Sequence, residues 1–459
     1  MTAVGVGASS VGGLFSPRWR ASTVGLVLVI TLSAFESIAV ATAMPTAVRE
    51  LHGLAYYSWP FTAFLVASVI GTVTSGEFSD RYGPRYPLLA GLGVFAVGLV
   101  TAGTAVSMPL FVAGRVVQGL GAGAVIVGVY VLIAEVYPDA LHPRVFALAS
   151  AAWVVPSLVG PLVAGLLTEH LTWRLVFLGL APFVVLGLAL LWPTLRQLVA
   201  PSARRARGTM IPFAVLAAIG LAAVQFAGQN LRVASLLPLV VGVVLLVPAL
   251  RRLLPPGTVR ARRGLPAALA ARGVMAGAFF GVEAFVPLTL TDLHDYGPSA
   301  AGVPLTLSAL GWAAGSWWQG RSRAARYRLV RVGCAMIAAG AASLVLVAFT
   351  GTPGILAAPL WAVAGTGMGL AMPTVSVLLL ELSEKDERGQ NSAALQICDL
   401  LCSAVGVGAG GVLLAALTPG AGATTPAVVV IDLGMAAVAL LGVAVAGRLR
   451  VQAVPTVAG

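Results

Sequence analysis

Apolar windows of about twenty residues, the length needed to cross a hydrocarbon core, recur fourteen times along this 459-residue chain. They run near 22–44, 59–78, 86–106, 109–136, 144–168, 174–195, 210–229, 234–250, 266–291, 299–320, 328–349, 355–379, 390–415 and 425–447. Polar residues gather in the short connections between them, so the pattern predicts an all-α polytopic membrane protein. The pattern also repeats at an offset of about 246 residues. Gly119-Leu120-Gly121-Ala122-Gly123 falls on Gly365-Thr366-Gly367-Met368-Gly369, Glu135 on Glu381, Gly160 on Gly406, Gly165 on Gly411, and Glu36 on Glu283 at an offset of 247. Two six-span halves thus flank two central spans that have no counterpart. The expected units are 1–200, 201–263 and 264–459.

Composition strengthens this reading, because 59% hydrophobic residues, 10% charged residues and a mean hydropathy of +0.96 leave too little polar surface for a soluble protein. The net charge of +12 would suggest a nucleic-acid partner, but its positions point elsewhere. With the N-terminus in the cytoplasm, 23 of the 28 Lys and Arg residues fall on that side, among them Arg204, Arg205, Arg207, Arg260, Arg262 and Arg263. Only Arg49, Arg174 and Arg232 fall outside. The expectation is therefore a bacterial-type plasma (inner) membrane protein with both termini cytoplasmic and no nucleic-acid role. Arg18, Arg20, the apolar run after them and Ala41-Thr42-Ala43 imitate a cleavable signal, but Glu36 interrupts the run and the segment reads as a first span. Tyr56, Tyr57 and Trp59 are expected as anchors at the outer interface, and Trp317 and Trp318 at the inner one.

Several chemistries are excluded. The only lysine, Lys385, follows no glycine-rich phosphate loop, the four histidines lie too far apart for a metal site, and no Gly-x-Ser-x-Gly turn occurs. Cys334, Cys398 and Cys402 have no metal-ligand spacing and read as packing residues. Neither a cofactor, a metal nor an enzymatic activity is expected.

Ionisable groups inside spans are costly and are functional by default. Glu36 and Glu283 stand almost alone in the first span of each half, followed by Pro45 and Pro287. Asp399 and Asp432 lie in spans thirteen and fourteen, with Arg272 within reach as an alternative partner. Arg115, at about 3 kcal/mol or more if it faced lipid, must point into the bundle. It shares a helix face with Gln118 and Gly119. Gly119 and Gly123, four apart, suit close helix packing.

The loop Gly76-Glu77-Phe78-Ser79-Asp80-Arg81-Tyr82-Gly83-Pro84-Arg85 resembles the cytoplasmic signature between spans two and three of the major facilitator superfamily, with Phe78 for the usual leucine and an unusual Pro84. An ordinary basic turn accounts for the same residues. Arg115-Val116-Val117-Gln118-Gly119-Leu120-Gly121 is similar to the superfamily's fourth-span motif, whose arginine is implicated in proton transfer; Trp361 occupies that position in the second half. Span five, from Pro156 through Gly160 and Pro161 to Gly165, resembles the exporter signature, with Pro156 and Ala164 where glycines are usual. Glu36 through Pro45 resembles the acidic-to-proline pattern of the fourteen-span drug:proton antiporters.

The resemblance implies two six-helix bundles plus two central helices, acting as a monomeric proton-coupled antiporter that exports hydrophobic or amphipathic small molecules by alternating access. Its partners would be substrate, protons and membrane lipids. Glu36, Glu283, Arg115, Asp399 and Asp432 would be the proton-coupling candidates, and Gly76, Asp80, Arg81, Gly83 and Arg85 the inner gate. Pro156, Gly160, Pro161 and Gly165 would form the antiporter-motif helix. Two other readings stay open: a lipid or cell-envelope-glycolipid exporter on the same fold, and a sensor or scaffold that transports nothing.

Overall fold

The computed structural model describes residues 13–198, 209–230, 233–384, 387–418 and 423–449. Arg204, Arg205, Arg207, Arg232, Lys385 and both chain ends lie outside the described residues. The long helices are α1 (Arg20–Glu50), α2 (Trp59–Tyr82), α3 (Arg85–Gly103), α4 (Met108–Val136), α5 (His142–His170), α6 (Ala181–Leu195), α7 (Ile211–Gln229), α8 (Leu236–Leu253), α9 (Leu265–Glu283), α10 (Val303–Arg321), α11 (Arg326–Leu344), α12 (Ala357–Leu382), α13 (Arg388–Leu417) and α14 (Thr425–Ala446). No strand occurs among the described residues. Proline in the first turn opens α2, α4, α5, α7, α9, α10 and α14, where its missing N–H removes no helical bond.

Thirteen helical segments among the described residues are long and apolar enough to cross a membrane. The expected span at 299–320 is not one of them. It forms α10, whose 19 residues include Gly, Ser, Gln, Arg and three Trp, too polar a mix to qualify by composition. Even so, α10 packs along α12 as α2 packs along α4.

The expected span at 266–291 is broken. α9 stops at Glu283 and a short helix, Val286–Leu293, continues it. Pro287 explains the break, because it cannot donate to the carbonyl of Glu283 and its ring crowds that group. Pro45, by contrast, sits inside an unbroken α1.

The sequence repeat is a repeat of packing. α4 lies against α2 and α3 as α12 lies against α10 and α11, and α1 pairs with α5 as α9 pairs with α13. A Cβ at Gly119 or Gly123 would overlap the carbonyl oxygens of Phe64 and Ser68, and one at Gly365 or Gly369 those of Ser308 and Trp312. The bare glycines are what let each pair of backbones touch. α7 and α8 form a hairpin whose packing partners are α2 and α13.

The halves join through α2 against α13, and through α5 against α10 and the short helix Pro298–Ala301.

Candidate functional site: a buried ion pair beside a cavity between the halves

Glu36, on α1, and Arg115, on α4, form an ion pair with both side chains almost wholly buried. The arginine also donates from Nε to the Pro60 carbonyl (3.1 Å) and from Nη1 to Gln118 Oε1 (2.8 Å), and its guanidinium lies 4.3 Å from the Phe64 ring centroid. α1, α2 and α4 thus meet at one guanidinium. Glu36 Oε2 and Gln118 Nε2 are buried without a hydrogen-bond partner. A buried pair of this kind costs desolvation on both sides, so it contributes little net stability while making each partner depend on the other.

The second half repeats the geometry with different chemistry. Glu283, half-buried, accepts from Trp361 Nε1 at 3.3 Å, and Trp361 stacks on Phe279 with ring centroids 4.9 Å apart. Trp361 is the repeat counterpart of Arg115. Glu283 therefore has a neutral donor where Glu36 has a cation.

Asp399 pairs with Arg272 at 3.0 Å, and the arginine also donates to the Met372 carbonyl at 3.3 Å. Asp432 is buried on α14 and lines a small, mainly apolar gap with Val286, Thr289, Leu290 and Val347. Glu36, Glu283, Asp399 and Asp432 thus occupy separate places, each with its own surroundings.

In the loop after α2, Gly83 holds a positive φ of 78°, a conformation that favours glycine, and ends the helix. Asp80 and Arg81 are exposed, Gly76 and Arg85 half-buried. The contact from this segment is made instead by Glu77, which accepts from Thr209 Oγ1 (2.8 Å) and from the Met210 N–H at the start of α7. Residues 76–85 are therefore tied to the central hairpin.

At the opposite end the two halves are held together. Arg49 pairs with Asp292, Glu169 accepts from the Ser299 N–H at 3.1 Å, and the Tyr57 hydroxyl donates to the Ala284 carbonyl at 2.8 Å. Tyr57 is fully buried and is no interface anchor; it supplies a donor to the carbonyl of Ala284 in the broken helix. Pro156, Gly160, Pro161 and Gly165 are all buried on one face of α5. A Cβ on Gly165 would come within 2.6 Å of Ser299 Cα, and one on Gly302 within 3.0 Å of the Pro161 carbonyl, so this face meets the other half. Gly165→Leu is expected to wedge this end open. Spin labels at the exposed positions Leu171 and Phe349 would then report a longer mean distance than in the parent, and an unchanged distance would count against the contact.

Towards the end that carries Asp80, a cavity of about 140 Å³ is lined by Ser33 of α1, Tyr130 of α4, Phe146, Ser150 and Trp153 of α5, and Gln396 of α13, with Ile, Val and Ala completing the wall. Ser33 lies one turn before Glu36 on α1, so the buried pair sits next to the cavity along that helix.

Comparison with known proteins settles the class. The sequence profile of the Major Facilitator Superfamily matches residues 26–407. The chain belongs to the major facilitator superfamily. It is 29% identical over 422 residues to a protein of Mycobacterium tuberculosis named "Probable multidrug-efflux transporter", covering 86% of this chain and 88% of that one. "Multidrug resistance protein 3" of Bacillus subtilis is 30% identical over 36% of this chain and 32% of its own. Among solved structures, a peptide transporter POT in complex with sulfate has a TM-score of 0.68 at 14% identity, covering 93% of this chain and 94% of that one. A D-xylose-proton symporter has a TM-score of 0.62 at 18% identity, covering 91% and 96%. At such identities the likeness shows the fold alone. This superfamily member is an all-helical integral membrane transporter.

Two features escaped the sequence reading. The ring of contacts at the Arg49 end joins residues 130 to 243 positions apart and leaves no local pattern. Gln225 and Gln229 did leave one, being two amides four residues apart in an apolar span. Both donate to Ser58 Oγ, at 3.1 and 3.3 Å, and so fix α7 to the start of α2.

Proposed function

We propose that this superfamily member is a proton-coupled antiporter that exports hydrophobic or amphipathic small molecules by alternating access between residues 1–200 and 264–459, with 201–263 as an added hairpin. The observation that carries the reading is the Glu36–Arg115 pair, buried one turn from a cavity between the halves. The efflux names of two relatives support the substrate class. The arginine asymmetry supports placing the Asp80 end in the cytoplasm.

A proton reaching Glu36 removes its charge and leaves Arg115 held by Gln118, the Pro60 carbonyl and the Phe64 ring. The tie between α1 and α4 then loosens beside the cavity. Glu283, with only Trp361 as donor among the described residues, offers a second carboxyl in the other half, and Asp399 and Asp432 stand as reserve sites. The latch at the Arg49 end holds the chain closed to the outside. Gly76, Asp80, Arg81, Gly83 and Arg85 form the gate at the other end, and the α5 face from Pro156 to Gly165 is the surface on which the halves turn.

The test is a pH-sensitive dye trapped in proteoliposomes that hold the purified protein. Adding transported compounds from a hydrophobic panel should drive protons opposite to substrate flux. Substrate flux with no accompanying proton movement would sink the coupling, and no flux across the panel would favour a sensor or scaffold.

A further inference from the structure

The cavity beside the buried pair specifies more than an apolar cargo. We propose that it takes one ring of an uncharged aromatic amphiphile, seated between Tyr130, Phe146 and Trp153, with the remainder of the molecule extending past Gln396; this rests on the export reading above. Size, wall and charge each point to that occupant. A volume of about 140 Å³ is close to the roughly 150 Å³ apolar cavity that accepts benzene, so a single six-membered ring fits and a fused polycycle does not.

The wall offers aromatic faces in register. Phe146, Ser150 and Trp153 share one face of α5 at i, i+4 and i+7. Tyr130 of α4 stacks on Phe146 with centroids 6.0 Å apart and 24° between planes. An inserted ring gains offset or edge contacts with these side chains, each worth about 0.5–1.5 kcal/mol beyond area burial.

The polar groups are neutral and divided by role. Ser33 Oγ donates to the Val29 carbonyl at 3.0 Å and Ser150 Oγ to the Phe146 carbonyl at 2.9 Å, so both present acceptor lone pairs. The Gln396 amide and the Tyr130 hydroxyl are the donors left to a ligand.

None of the described residues lining the cavity carries charge. The nearest carboxylate along α1, Glu36, is closed against Arg115. A cation entering here would shed water with no carboxylate to receive it, and an anion would find no free guanidinium.

Equilibrium binding in lipid nanodiscs tests this without requiring transport. The probes are neutral N-phenyl-1-naphthylamine, its anionic relative 1-anilinonaphthalene-8-sulfonate, and cationic ethidium, with fluorescence corrected for empty nanodiscs. The neutral probe should bind saturably and at least tenfold more tightly than either ion. Ser150→Phe, at an exposed cavity position, should weaken it at least tenfold by filling the ring site, and Trp153→Ala should weaken it by removing a wall. Binding unchanged in both variants, or equal or tighter binding of either charged probe, would overturn the assignment. A parent that binds the neutral probe at this site yet moves nothing against a pH gradient would sink the export reading and leave the cavity assignment standing. Proton-driven export that continues while both variants bind like the parent would do the reverse.

Discussion

Arg115→Gln is expected to abolish uphill export and to lower unfolding stability by about 3–5 kcal/mol, the cost of leaving one member of a buried ion pair without its partner. The member left behind is Glu36, whose second oxygen already lacks a hydrogen bond in the intact protein. The reciprocal change, Glu36→Gln, should cost less stability, because Arg115 keeps Gln118, the Pro60 carbonyl and the Phe64 ring. Export should fail in both variants: glutamine at 36 preserves size and hydrogen bonding but cannot exchange a proton, and glutamine at 115 removes the cation against which the Glu36 charge must re-form. Combining the two substitutions should recover much of the stability and none of the export. Thermal unfolding followed by tryptophan fluorescence, beside flux driven by a pH gradient, separates these outcomes. An Arg115→Gln protein as stable as the parent would show that the pair is not what joins α1 to α4.

Gly123→Val should be the most damaging change outside the charged site. The new side chain would overlap the Ser68 carbonyl, and a backbone atom within a packed helix cannot swing aside as a flexible side chain does. Overpacking costs about 1–3 kcal/mol in an ordinary core, and here the whole of α2 must move to relieve it. Gly369→Val, which overlaps the Trp312 carbonyl at the counterpart position, should behave alike. Gly93→Val, with open space around it, should be close to neutral. Yield of monodisperse protein and its melting midpoint provide the measure, and three variants melting together would refute the close-packing account.

The ordering of spans, the internal repeat and the glycine positions were legible because each is a property of sequence spacing. Glu36 and Arg115 were also legible, as costly residues in apolar runs, but their pairing was not. They are 79 residues apart, and only the placement of α1 beside α4 brings them together. Once that pair is known, the repeat points to the second, since Glu283 and Trp361 are 78 apart. Tyr57 misled because an aromatic at a span end is equally suited to an interface and to a buried donor role; the break created by Pro287 decides between them. The span expected at 299–320 forms as α10 despite its polar residues, and its packing against α12 is as extensive as that of α2 against α4. Asp80 drew attention as part of a recognised signature, whereas the link to α7 runs through Glu77, whose partner lies 132 positions away.

The hairpin of α7 and α8 lies over the seam between α2 and α13, fastened by Gln225 and Gln229 at one end and by Glu77 at the other. The matching seam between α5 and α10 carries no such hairpin among the described residues. A chain whose interior is nearly two-fold symmetric therefore shows the bilayer two unlike flanks, one doubled in thickness and one a single helix deep.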